Sequence, residues 1–304
     1  MAPKAINRVN EVTEARLSLS SLYHLRTIRK LAHKIDTNTT DDINPVVLLK
    51  QGEGTPLFIF PPWSSYPTIF DEFVIQYPGK NPLYGILYTE DSENFPFKTV
   101  QQYARYIITC MKTFSPAGPY GLLGYSMGAR TILEVALQLQ QAGDKVGLLG
   151  VISHFPAYPS KGFISNRKIL DEIRIFNGIN WGLKFKYLYR RLPRFLSLLI
   201  KGNHNAPEIK VEIDSQKMIL AMHDEYETDL KYDGDIVVIY ETSPGDSVSQ
   251  YKNSQVYRNS ILGKLWGKYT NGKVITRIVE CNHIDFFKKP AVEEVANIVK
   301  TYLK

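Results

Sequence analysis

Residues 120–140, YGLLGYSMGARTILEVALQLQ, restrict the fold more than any other stretch of the chain. An apolar run from Tyr120 to Leu123 stops abruptly at Gly124-Tyr125-Ser126-Met127-Gly128. A pattern free of Gly and Pro then runs from Ala129 to about Ala142. By periodicity this is a strand, a sharp turn and an amphipathic helix. A Gly-x-Ser-x-Gly turn holds its central residue in a strained backbone conformation, and its glycines let strand and helix come close. The serine hydroxyl then stands exposed at a helix N-terminus, beside a Met127 amide free to receive negative charge. The five residues alone also suit an ordinary N-capping serine, so the chemistry depends on what else in the chain can meet Ser126.

Around this unit, strands and helices alternate. PVVLLK (45–50) and TPLFIF (55–60) read as a strand pair. A helix at 66–77, a strand at 83–87 and a helix at 97–114 follow. Strand 119–124, helix 127–142 and strand 146–153 come next. Such alternation at short spacing implies a mostly parallel sheet with helices on both faces, an α/β class. From about 157 to 232 it fails, giving way to a helix-rich, aromatic and basic segment. It resumes with strands 235–240 and 273–280 and a closing helix at 290–303. An insertion late in a parallel sheet falls near the carboxyl edge, where ligands of open α/β sheets bind, and is expected to form a lid. At the other end, residues 13–36 read as a basic helical piece and 37–45 as a polar linker. The expected organisation is therefore 1–44 as helix and linker and 45–304 as the α/β domain, with the lid at about 157–232.

Composition narrows the function classes. The chain has 304 residues, 44% of them hydrophobic and 22% charged, which suits one large globular domain with appendages. Neither a bilayer-spanning run nor a signal-peptide core is found, so no membrane association is expected. Two cysteines, Cys110 and Cys281, make no disulfide framework, and no metal-ligand spacing occurs; a reducing cytoplasm is the simplest setting. The net charge of +7 carries no nucleic-acid motif with it, so no nucleic acid is expected.

A serine hydroxyl is a poor nucleophile near neutral pH and needs a base within hydrogen-bond reach, itself oriented by a third group. In α/β-hydrolase folds the histidine comes last in chain order, on the loop after the final strand. Here that strand ends in IVECNHIDFFKKP, which puts His283 on such a loop. The other five histidines lie in the N-terminal helix, in the insertion, or too early in the chain. An oxyanion needs two donors. One is the Met127 N–H. The other is expected from the turn FIFPPWSSYP, where Pro61 and Pro62 cannot donate and Trp63 offers the first N–H.

Three segments, PLFIFPPWSSYPTIFDEF, GYSMGARTILEVALQL and NHIDFF, together resemble the terminal (type I) thioesterase domains of nonribosomal peptide and polyketide synthetases, over about residues 45–304. SSLYHLRTIRKLAHKI looks like the last helix of a carrier protein, though the carrier's pantetheine-bearing serine is not in this chain. The resemblance implies an α/β-hydrolase fold and an acyl or peptidyl group passed from a carrier to Ser126, then released by water or by macrocyclisation. It also implies that the domain binds no cofactor of its own, the substrate arriving on the phosphopantetheine of a carrier protein.

One position departs from the family. Many members hold the acid at the end of the strand after the nucleophile helix, where this chain reads VISHFPAYP with Ser153 in the matching place. Serine accepts a hydrogen bond but brings no charge to an imidazolium. The next acid slot is IYETSPGDSVS, where Asp246 is assigned the role, with Glu241, or no acid at all, as the alternatives. A late acid and the SMGA wording are also reminiscent of free-standing editing (type II) thioesterases, against which the carrier-like tail argues. A carrier-binding module with a decayed triad is the remaining alternative, and the intact Ser126 and His283 argue against it.

Overall fold

The computed structural model describes residues 2–13, 17, 21, 25, 27–37, 44–62, 67–87, 97–153, 222–223, 225–242 and 265–303. All of these belong to one compact unit, residues 1–156 with 214–304. Residues 157–213 form a second unit that lies wholly outside the described residues.

Among the described residues, seven strands make one sheet: β1 (Val46–Lys50), β2 (Leu57–Phe60), β3 (Leu83–Ile86), β4 (Tyr120–Tyr125), β5 (Val146–Ile152), β6 (Ile236–Thr242) and β7 (Val274–Glu280). Their spatial order is β1-β3-β2-β4-β5-β6-β7. All neighbours are parallel except β1, which runs antiparallel to β3. The sequence expectation that β1 and β2 pair with each other is thus corrected, because β3 lies between them. The crossover from β2 to β3 brings β3 back parallel against β2 and takes that edge, leaving β1 the far side of β3, where Val46 faces Ile86.

Period-2 alternation divides the core into two layers. Phe58, Phe60, Leu122, Leu149, Val151 and Val238 point to one face, toward α4 (Val100–Lys112) and α5 (Gly128–Gln141). Leu57, Ile59, Leu123, Leu148, Ile152 and Ile239 point to the other, toward α3 (Asp71–Gln76) and α6 (Ala291–Tyr302). α4 starts on Thr99, whose side chain accepts from the Gln102 amide, and its buried face is Tyr103, Ala104, Ile107 and Met111.

At the N-terminus, α1 (Ala2–Thr13) and α2 (Ile28–Thr37) make a small apolar cluster of Ile6 and Leu17 with Val9, Leu31 and Ile35. Asn10 brackets the Leu17 peptide, accepting from its N–H and donating to its carbonyl. Helix is therefore present upstream of residue 13, where the sequence reading assigned none.

α5 was expected to be amphipathic, yet Arg130, Thr131 and Glu134 on its outer face are buried. The chain that returns to β6 covers them. Arg130 donates to the His223 carbonyl, the Thr131 hydroxyl lies 2.9 Å from His223 Nε2, and the Tyr226 hydroxyl donates to Glu134 at 2.8 Å. A buried polar group is tolerated when it is hydrogen-bonded, so these residues rivet the return segment to the helix behind Ser126. Of the expected lid, only residues 222–223 and 225–232 fall within the described part.

Candidate active site

The register of the central strands brings the candidate residues to one edge. Tyr125 of β4 pairs with Ile152 of β5, Ile152 pairs with Ile239 of β6, and Glu241 pairs with Val279 of β7. Ser126 and Ser153 follow directly on β4 and β5, and His283 comes three residues after β7. All four carboxyl ends therefore carry a chemistry-bearing side chain.

Ser126 and Ser153 have the same backbone device. Each donates its N–H to the neighbouring strand, Ser126 to Ile152 at 2.9 Å and Ser153 to Ile239 at 2.8 Å. Each then turns out of the sheet at φ 51°, a left-handed conformation that costs a non-glycine residue about 1–2 kcal/mol and that surrounding structure must enforce. Around Ser126 the enforcement is steric. A Cβ on Gly124 would lie 2.7 Å from the Gly128 backbone, and one on Gly128 would lie 2.6 Å from the Phe60 carbonyl oxygen and 2.8 Å from that of Pro61. The two glycines thus allow α5 to press against β4 and against the end of β2. Among the described residues, the Met127 N–H donates to no backbone carbonyl, as an oxyanion donor must not. Trp63, the expected second donor, lies outside the described residues.

His283 opens a 3₁₀ turn, His283–Asp285, held at both ends. The Lys288 ammonium and Asn282 amide donate to the Asp285 carboxylate at 2.9 and 3.1 Å, and hold that carboxyl below its usual range. Phe286 and Phe287 anchor the turn in the second core layer, with Phe287 edge-on to Phe70 at 4.8 Å between ring centres. Tyr125 closes the clamp: its ring lies 5.3 Å from the imidazole and its hydroxyl donates to the His283 carbonyl. Burial, with the charges of Glu241, Cys281 and Asp285, keeps that phenol protonated far above its ordinary range. The residue preceding the nucleophile candidate therefore fixes the loop of the base candidate.

Among the described residues the carboxylate beside the imidazole is Glu241; Asp246 lies outside them. Glu241 Oε1 stands 3.7 Å from His283 Nδ1, an ion-pair distance but too long for a hydrogen bond. The Ser153 hydroxyl fills the gap, 2.6 Å from Nδ1 and 2.6 Å from Glu241 Oε2. Burial pushes the Glu241 carboxyl up, but the His283 imidazole and the Ser153 hydroxyl outweigh it and hold it below its ordinary value. An ionised Glu241 only accepts, so the single Ser153 proton goes to it, and Ser153 then accepts from Nδ1–H. In the neutral imidazole this places the hydrogen on Nδ1 and the lone pair on Nε2. Cys281 is no rival nucleophile. Burial first, then the nearby carboxylates led by Glu241, push its thiol up to about 12.

The side chain of Ser126 is half-buried and that of His283 is 46% exposed. Among the described residues the Ser126 hydroxyl makes no hydrogen bond, to His283 or to any other group. In free enzymes catalytic hydrogen bonds are often long and tighten only around substrate. Sequence reasoning missed Ser153 as a bridge and Tyr125 as a clamp. The signal available was positional: both stand beside the nucleophile on adjacent strand ends.

A family model described as the thioesterase domain matches residues 55–303. Indigoidine synthase of Streptomyces lavendulae is 28% identical over 207 residues, covering 67% of this chain and 15% of that protein. A dimodular nonribosomal peptide synthase of Bacillus subtilis (strain 168) is 21% identical across 100% of this chain and 13% of its own length. The chain thus spans less than a fifth of these curated relatives. Among solved structures, the NocB thioesterase domain superposes with a TM-score of 0.55 at 17% identity, over 85% of this chain and 99% of that one. The thioesterase domain that cyclises surfactin gives 0.52 at 16%, over 87% and 98%. At these identities the superpositions establish the α/β-hydrolase fold.

Proposed function

Since this chain belongs to the thioesterase domain family, we propose that it releases an acyl or peptidyl chain from a carrier-protein thioester through an acyl-enzyme on Ser126. The partner is a carrier domain of a nonribosomal peptide synthetase, in keeping with the multidomain synthetases it is similar to. The observation that carries the reading is the convergence at one sheet edge: a serine on a positive-φ elbow, and an imidazole whose Nδ1 is already committed to the Ser153–Glu241 pair.

The chemistry follows from those residues. Rotation of the Ser126 side chain toward His283 Nε2 gives the base its proton as Oγ attacks the thioester carbonyl carbon. The carbonyl π electrons move to oxygen, and the Met127 N–H, with that of Trp63, receives the oxyanion. Collapse re-forms the carbonyl and breaks the carbon–sulfur bond, and the imidazolium returns its proton to the departing thiolate. Glu241 stabilises the transient imidazolium and takes the place assigned from sequence to Asp246. A second nucleophile then gives its proton to Nε2 and attacks the ester carbonyl carbon; collapse of this adduct breaks the carbon–Ser126 Oγ bond, and the imidazolium returns its proton to Oγ. Water yields a free acid; a hydroxyl or amine of the same chain yields a macrocycle.

The N-terminal region belongs to the same proposal. Helices α1 and α2 with their own apolar cluster support a carrier tail, as does a synthetase relative that aligns along the whole chain. The basic insertion at 157–232 would serve as lid and docking face for an acidic carrier.

The test is turnover of carrier-bound or thioester-mimic chains, with products identified by mass spectrometry. Wild type is expected to release free acid or ring, and Ser126→Ala to release neither. Undiminished release by Ser126→Ala would overturn the reading.

A further inference from the structure

Three groups meet at the carboxyl ends of β5, β6 and β7 in an order the sequence alone does not give: imidazole, hydroxyl, carboxylate. Ser153 is 8% exposed, and its one hydroxyl lies 2.6 Å from both neighbours, while the neighbours are 3.7 Å from each other. A hydroxyl has one proton to give and lone pairs to accept with, so it can serve both partners only in one direction. Its φ of 51° turns the residue out of the line of β5 at this point.

We propose that Ser153 is a positioning residue that couples Glu241 to His283, so that hydroxyl and carboxylate form a matched pair that tolerates no exchange of one member alone. This rests on the acyl-enzyme reading of the site. The consequence concerns charge. An aspartate at 153 would set its carboxylate within hydrogen-bond distance of Glu241, and two carboxylates sharing a site cannot both stay ionised. Aspartate at 153 is therefore harmful beside Glu241 and useful beside a neutral glutamine. The familiar acid position is blocked by the carboxylate one strand over, and removing that carboxylate reopens it.

The substitutions suit the backbone at this position. Glycine and aspartate both accept the left-handed conformation, so Ser153→Gly and Ser153→Asp remove or replace the hydroxyl without forcing the backbone. Glu241 is reached by hydrogen bonds to a charged group, worth about 1.5–3 kcal/mol each, or about 10- to 100-fold in rate.

The experiment compares wild type, Ser153→Gly, Ser153→Asp, Glu241→Gln and the double variant Ser153→Asp/Glu241→Gln. Thermal unfolding establishes that each is folded, and kcat and KM are measured on a thioester mimic. Each single variant is expected to lose about 10- to 100-fold in kcat with KM little changed. The double variant is expected to recover about 10-fold or more over either of its parents. A double variant no better than its poorer parent overturns the proposal, because a merely structural role makes losses accumulate. Proton NMR gives a second readout that does not depend on turnover. A downfield imidazole Nδ1–H resonance, assigned by its absence in His283→Ala, is expected in wild type and lost in Ser153→Gly. Its survival unchanged in Ser153→Gly also overturns the proposal. A wild type that neither turns over nor acylates Ser126 sinks the acyl-enzyme reading instead, and the resonance still decides the coupling.

Discussion

Replacing Gly128 with alanine tests how tightly the nucleophile turn is wedged into the sheet. The added Cβ would lie 2.6 Å from the Phe60 carbonyl oxygen and 2.8 Å from that of Pro61. Both are backbone atoms, so no side chain can swing aside. Carbon–oxygen approach below about 3 Å is not sustained, so α5 and the end of β2 must separate by roughly 0.4 Å. Overpacking of this kind costs about 1–3 kcal/mol, which for a domain of this size is a fall in Tm of roughly 2–5 °C. The separation also opens the site, since Met127 precedes Gly128 and the β2 turn follows Pro61. A misplacement of about 1 Å costs some 100-fold in rate, so one under half that size is expected to cost about 10-fold in kcat. Gly143→Ala is the control. Its φ of +79° strains an added side chain, but nothing lies within 4 Å, so it should lower Tm and leave kcat alone. Scanning calorimetry and steady-state thioester hydrolysis read both quantities. A Gly128→Ala variant with wild-type Tm and kcat would refute the argument that this glycine is required by close approach.

Three further substitutions probe the base. Tyr125→Phe removes the hydroxyl that holds the His283 carbonyl; the loss of about 0.5–1.5 kcal/mol should appear as a slightly lower Tm and a kcat reduced by no more than about 10-fold. Glu241→Gln is expected to lower kcat sharply while Asp246→Asn leaves it within a few-fold, and the reverse order would return the acid role to Asp246. Glu241 also makes stability depend on pH. Its folded carboxyl lies below the ordinary 4.5, so its contribution is complete above that pH and is lost as pH falls through the folded value. The stability difference between wild type and Glu241→Gln, from urea unfolding, should shrink as pH falls below about 4.5; a difference that keeps growing below that pH would contradict it.

What could be read from the chain, and what could not, divides along physical lines. The strand–turn–helix at 120–141 was legible because its glycines, its apolar run and its helix period are all local. The place of His283 followed from chain order. Pairing was less legible: β1 and β2 are short, apolar and adjacent in sequence, and nothing in them says that β3 comes between. The burial of Arg130, Thr131 and Glu134 was hidden for a similar reason, since their partners His223 and Tyr226 stand some 90 residues away. Serine at 153 reads as a missing acid until Glu241 is seen across it. Two strand ends must lie side by side in space before this hydroxyl and this carboxylate are seen to be hydrogen-bonded.

The most direct measurement is where a serine-reactive fluorophosphonate becomes attached. Incubated with the intact chain, digested and mapped by mass spectrometry, the adduct is expected on Ser126 alone. Labelling should be abolished in Ser126→Ala and slowed by orders of magnitude in His283→Ala at unchanged Tm. Stoichiometric attachment to any other residue, or labelling of Ser126 that proceeds at the same rate without His283, would contradict the claim that this serine and this imidazole act together.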